Sequence, residues 1–185
     1  IKRSRAASGK DIPAELAAVI SALAPGDVLT LDVFDTALFR VVRHPTDLFA
    51  FIEPDVQALL GKSDFPFAQA RIAAERVARQ RHVDEDCEDV TLEQICDVLA
   101  EVAGIPPDLI NRVRDLEINA EQRLCYANPV VQAAVRSAQQ KGVRVVFVSD
   151  MYLPADTIRQ LLVHHGYDAS EVYSSCTSGK TKHSG

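Results

Sequence analysis

The chain has 185 residues, 47% of them hydrophobic, and its 20 basic and 26 acidic side chains leave a formal charge of −6. That length suffices for one substantial core, or for a core domain carrying a smaller inserted one. The acidic balance disfavours a nucleic-acid surface, no apolar run approaches the roughly 20 residues needed to span a bilayer, and the N-terminus lacks the apolar region of a signal peptide. Neither nucleic acid nor a membrane is therefore expected as a partner, and a cytoplasmic location is expected.

Residues Ile1 to Lys10 are basic and small, without periodicity, and read as a flexible lead-in. Asp11 and Pro13 predict the start of a helix with Leu16, Val19, Ile20 and Leu23 on its apolar face, ended by Pro25-Gly26. The run Val28-Leu-Thr-Leu-Asp-Val-Phe-Asp-Thr36 then reads as a short apolar strand with Asp32 at its end. Two readings stand at this point: a nucleophile at the carboxyl end of a strand, or a buried strand closed by an Asx-type turn at Asp35 and Thr36.

After Thr36 the pattern is helical for about ninety residues and predicts four helices. The first follows Pro45-Thr46 and ends near Gly61. The second runs from about Phe65 to Arg81, with Arg71, Glu75 and Arg79 on one face. The third is marked by a capping box at Thr91 and Gln94, by a stripe of Leu92, Ile95, Leu99 and Val102, and by Gly104 as its stop. The fourth starts at Pro106-Pro107 and runs through Leu109, Val113, Leu116 and Ala120 towards Leu124. The acidic run Asp84 to Asp89 reads as a solvated loop, because it lacks regular ligand spacing.

From Asn128 the punctuation changes. Asn128 as cap, Pro129 at the first helical position and Gly142 past the end bracket a helix, followed by the strand Val143-Arg-Val-Val-Phe-Val148 with Ser149 and Asp150 at its end. Pro154 opens a further helix closed by Gly166, and Glu171 to Ser174 forms a third strand. Strand, helix, strand in this order predicts parallel pairing, interrupted after the first strand by a helical insertion. Cys87, Cys96, Cys125 and Cys176 are scattered and read as reduced thiols, with Cys96 and Cys125 in helical patterns as small core residues. Arg40, Arg43, Arg71 and Arg79 read either as surface ion-pair partners or as groups facing an anionic ligand, and His164-His165 as favouring a helix dipole.

Asp32, Ser149 and Lys182 thus follow three successive strands, and parallel pairing would bring them to one edge. A carboxylate, a hydroxyl and a cation around one point suit attack on a phosphoryl group, where positioning and charge neutralisation carry most of the catalysis. The segments Leu31-Asp-Val-Phe-Asp-Thr36, Val146-Phe-Val-Ser-Asp-Met-Tyr-Leu-Pro154 and Ser174-Ser-Cys-Thr-Ser-Gly-Lys-Thr-Lys-His-Ser-Gly185 resemble, in order and spacing, the first three motifs of the haloacid dehalogenase-like hydrolase superfamily. The resemblance implies an α/β fold with a Rossmann-like parallel sheet core, formed by residues 1–40 and 128–185, and an α-helical cap formed by residues 41–127. It further implies that Asp32 forms an aspartyl intermediate on a small phosphorylated metabolite, that Ser149 binds a phosphate oxygen, and that Lys182, rather than Lys180, steadies the nucleophile. Thr36 and Asp150 are placed with the substrate, and a magnesium ion on Asp32, the backbone carbonyl of Phe34 and acids of a fourth motif.

Two departures shape this expectation. The superfamily's phosphatases carry a second aspartate two residues after the nucleophile as general acid and base, whereas this chain has Phe34, with Asp35 one place late. Such a change suits carbon–halogen chemistry, whose leaving group needs no proton, or a domain that binds without turnover. The D-x-F-D-T form with S-D-M-Y-L-P looks like members found beside bacterial polysaccharide and glycosyltransferase systems, so a fused glycosyltransferase or other domain is the expected neighbour. The sequence also stops at Gly185, right after the third motif, and reads as a core truncated at its C-terminus, with the first strand left at an open apolar edge and the metal site incomplete.

Overall fold

The computed structural model describes residues 13–82 and 87–184. The lead-in Ile1 to Lys10, the helix-starting role of Asp11, and Asp84 to Asp86 of the acidic run lie outside them. Thirteen elements follow in chain order: α1 (Ala14–Ala22), β1 (Val28–Asp32), β2 (Leu38–Arg40), α2 (Asp47–Leu60), α3 (Phe67–His82), α4 (Leu92–Ala103), α5 (Pro107–Leu124), β3 (Cys125–Ala127), α6 (Pro129–Gln140), β4 (Arg144–Ser149), α7 (Ala155–His164), β5 (Glu171–Ser174) and α8 (Ser175–Ser178).

Local chemistry fixes most of the boundaries. Thr91 and Gln94 form the reciprocal capping box that starts α4, and Gly104 ends it in the left-handed conformation that a side chain would strain. The Asn128 side chain accepts the Val130 N–H at the start of α6, where Pro129 lacks a donor that would in any case be orphaned.

The described residues form a mixed α/β fold of eight helices around a three-stranded parallel sheet in the order β1-β4-β5, compatible with a Rossmann-like core. Parallel register pairs Asp32 with Val148, and Ser149 with Ser174, so the ends of all three strands lie together. The central strand β4 buries Val145, Val146 and Phe147, whereas β1, at one edge, leaves Val28 47% exposed. α6 packs on β4 and on α1, and α7 packs on β5. No helix among the described residues is long and apolar enough to cross a membrane.

Two strands were not anticipated. β2 and β3 pair antiparallel, Leu38 with Ala127 and Arg40 with Cys125, so Cys125 lies in a strand and not in a helix. Each has three residues, too few for period-two alternation to register against the helical patterns that flank them. Between them α2, α3, α4 and α5 pack on one another as a helical layer. Its centre holds a buried ion pair: Arg71, with no exposed surface, donates to both oxygens of Glu117 at 2.9 and 2.8 Å and lies against the Phe49 and Tyr152 rings. Glu117 holds the guanidinium charged against its burial, with its pKa raised above the usual value.

Candidate active site

The turn after β1 is shaped by its own sequence. Asp35 adopts φ 59°, the only non-glycine residue among those described with a positive φ, a conformation Asp tolerates better than most. This reverses the chain so that Asp35 N–H donates to Leu38 O and Leu38 N–H to Val33 O, each at 2.8 Å. The turn is pinned from behind: Asn128 Nδ2 donates to Thr36 O at 3.0 Å, and the Tyr167 hydroxyl donates to Ala37 O at 2.7 Å. Thr36, one turn on from the strand end, donates its hydroxyl to Asp32 Oδ2 at 3.1 Å.

Asp32 Oδ1 accepts a hydrogen bond from Lys182 Nζ, across 150 residues of sequence. Both side chains keep access to solvent, at 41% for Asp32 and 38% for Lys182. Ser149, 2% exposed, lines the same cleft with Asp32 and Lys182, a space of about 370 Å³. Asp150 Oδ1 accepts the backbone N–H of Lys182 at 3.0 Å, so its carboxylate is engaged in holding the lysine's loop. Lys180 reaches Glu88, at 3.4 Å, rather than Asp32. A larger groove of about 630 Å³ lies between α2 and α5, lined by Asp55, Leu59, Arg112 and Asp115, but lacks a comparable convergence of a nucleophile with cation and hydroxyl.

Phe34 lines the cleft, and its ring carries the Arg40 guanidinium 4.1 Å from its centroid. Arg40 is in turn clamped by Glu121, at 3.1 and 3.0 Å, with 6% and 1% of the two side chains exposed. Burial opposes the Arg40 charge, yet hydrogen bonding and attraction to Glu121 raise its pKa. The same two features hold the Cys125 thiol inert: burial first, then the Glu121 charge, push it up to about 12. Arg40 and Arg71 are therefore neither simple surface pairs nor uncommitted anion ligands, whereas Arg43 is exposed. Arg71 is buried and Arg40 half-buried, each paired with a glutamate, while Arg79, 41% exposed, is an ion-pair partner that spans Glu75 and Asp89 at the cleft's rim.

The acidic run yields two residues that its reading as a solvated loop missed. Asp89 is 4% exposed and accepts from Arg79 at 2.7 Å and from the Ser175 hydroxyl. Glu88 accepts the Thr181 N–H at 3.0 Å, the Thr181 hydroxyl at 2.8 Å and the Ser184 hydroxyl. Only their apolar successor Val90, which is fully buried, hinted that this end of the run turns inward. Among the described residues, no three His, Cys, Asp or Glu side chains are grouped to hold a metal ion. In comparisons with known proteins, no family model and no curated protein matches the chain.

Proposed function

We propose that the chain is a haloacid dehalogenase-like hydrolase core, acting by phosphoryl transfer on a small phosphorylated metabolite, with Asp32 as nucleophile. The observation that carries this reading is the meeting of the Asp32 carboxylate and the Lys182 ammonium beside the Ser149 hydroxyl at the carboxyl edge of a parallel sheet. That edge is where open α/β sheets bind ligands. An Asp32 oxygen attacks phosphorus as the bond to the leaving oxygen breaks, while Ser149 donates to a phosphoryl oxygen and Lys182 neutralises the charge gathering there. Thr36 keeps the second carboxylate oxygen aimed, and Asp150 acts on the substrate through the lysine loop that it holds. Water then cleaves the aspartyl intermediate and returns phosphate.

The four helices between β2 and β3 serve in this reading as the cap over residues 41–127, since the chain leaves and rejoins the sheet through one antiparallel pair. The donor set suits magnesium, which takes hard oxygen ligands and retains waters. Asp32 would hold it with the Phe34 carbonyl, which the two hydrogen bonds of the turn leave uncommitted. When bound, that ion supplies Lewis-acid polarisation of the phosphoryl oxygens.

A second reading is favoured by one observation. Phe34 and the paired Arg40 occupy the place of a proton donor, which suits a domain that binds a phosphorylated ligand without turnover beside a transferase. Phosphate release from a panel of small phosphate esters, with magnesium, separates the two. Turnover by the native chain that falls at least about a hundredfold in Asp32→Asn supports the hydrolase. Ligand binding without phosphate release supports the second reading, and unchanged turnover in Asp32→Asn overturns the nucleophile assignment.

A further inference from the structure

We infer that Glu88 is a positioning residue, by which the loop between α3 and α4 sets Lys182 against Asp32 and makes that contact depend on docking of the helical layer. The inference rests on reading Asp32 and Lys182 as the working pair. Lys182 lies past α8, on a stretch outside the sheet, so strand pairing does not place it. Among the described residues, two carboxylates hold its loop instead. Asp150 takes the Lys182 N–H from the strand side. Glu88 takes the rest from the other side: the Thr181 N–H and hydroxyl, the Ser184 hydroxyl and Lys180 Nζ, while its own N–H donates to Gly179 O at 2.9 Å.

The segment bearing Glu88 is itself fastened at both ends. Asp89, next in sequence, joins Arg79 of α3 to Ser175 of α8, and Leu92 N–H at the start of α4 donates to Tyr152 O at 2.8 Å. Residues 88–92 therefore run as a strap from the helical layer across the loops that follow β4 and β5. A ligand-sized opening of that layer would carry Glu88 away from Thr181, and Lys182, left with the single backbone bond to Asp150, would lose its aim. A 1 Å misplacement of this kind is enough to cost on the order of a hundredfold in rate.

The test reads the contact and not turnover. Lysines of the whole chain are labelled as ¹³C-dimethylamines, which keep their charge and one N–H, and the Lys182 signal is assigned by its loss in Lys182→Arg. Asp32→Asn is expected to shift that signal in the native background and to leave it unmoved in the Glu88→Ala background, with the fold checked by circular dichroism. Should Glu88→Ala not fold, Glu88→Gln, which keeps the size but loses the charge and one acceptor, is expected to diminish the response. A Lys182 signal that still responds fully to Asp32→Asn in either variant overturns the inference, as does a native Lys182 that ignores Asp32→Asn. Because neither measurement involves phosphate release, a chain without hydrolase activity can still carry the strap.

Discussion

In the proposed hydrolase reading, Phe34 decides which substrates the site turns over. An aspartate at that position would protonate an alkoxide as it leaves, whereas an aromatic ring under Arg40 has no proton to give. In the phosphatase reading the native chain therefore favours substrates whose leaving group departs as a stable anion. Phe34→Asp is expected to raise kcat on alkyl phosphates by about tenfold to a hundredfold while changing turnover of aryl phosphates little, since positioned acid catalysis matters only for the poorer leaving group. Steady-state kinetics on matched alkyl and aryl esters checks this. Asp35 makes a second prediction, because its φ of 59° penalises most side chains. Asp35→Val is expected to destabilise the fold by about 1–2 kcal/mol and Asp35→Gly to be close to neutral, as measured by urea unfolding. Asp32 and Ser149 were legible from the sequence because each closes a strand of the parallel sheet, and Lys182 because it follows the third strand in the chain, although its loop and not strand pairing sets it against Asp32. The commitment of Asp150 to the Lys182 N–H was not, since a hydrogen bond to a distant backbone amide leaves no pattern in the chain.

Among the elements, the helical layer shows both the reach and the limit of periodicity. The four helices were readable because caps, prolines and glycines mark their ends, and the Thr91 and Gln94 box is formed as read. Val102, in the same apolar stripe as Leu92 and Leu99, is nonetheless 72% exposed. A 3.6-residue repeat sets the direction of a side chain, not whether another element extends far enough to cover it. Burial of Arg71 and Glu117 was equally hidden, because charged residues four apart on a helix read as a solvated face. Removing one member leaves the other charged and dry. Glu117→Ala is expected to destabilise the chain by about 3–5 kcal/mol, whereas the double replacement Arg71→Met with Glu117→Leu is expected to recover most of that loss, as measured by chemical denaturation.

At the scale of the whole molecule, contacts between the layer and the strand ends set how the assembly answers to acid. Hydrogen bonds from the Ser184 hydroxyl, and then from the Thr181 N–H and hydroxyl, lower the Glu88 pKa from its usual 4.5 to about 2. A carboxylate whose pKa falls on folding contributes stability that is complete above its unfolded value and is lost as the pH drops through the folded one. The strap is therefore expected to stay docked at neutral pH and to release as the pH falls from about 4.5 towards 2, seen as faster amide exchange at Thr181 once intrinsic rates are corrected for pH.

The pairing of Asp32 with a residue 150 positions away also bears on the order of events in folding. The contacts of α2 with α3 and of α3 with α4 are close in sequence, while β1 with β4 and Asp32 with Lys182 each join segments separated by most of the chain. Contacts that close long loops are the slow ones, because their entropy must be lost before any bond rewards it. The helices thus come first and the chemistry last, so that during refolding native helicity precedes the pairing of Asp32 with Lys182.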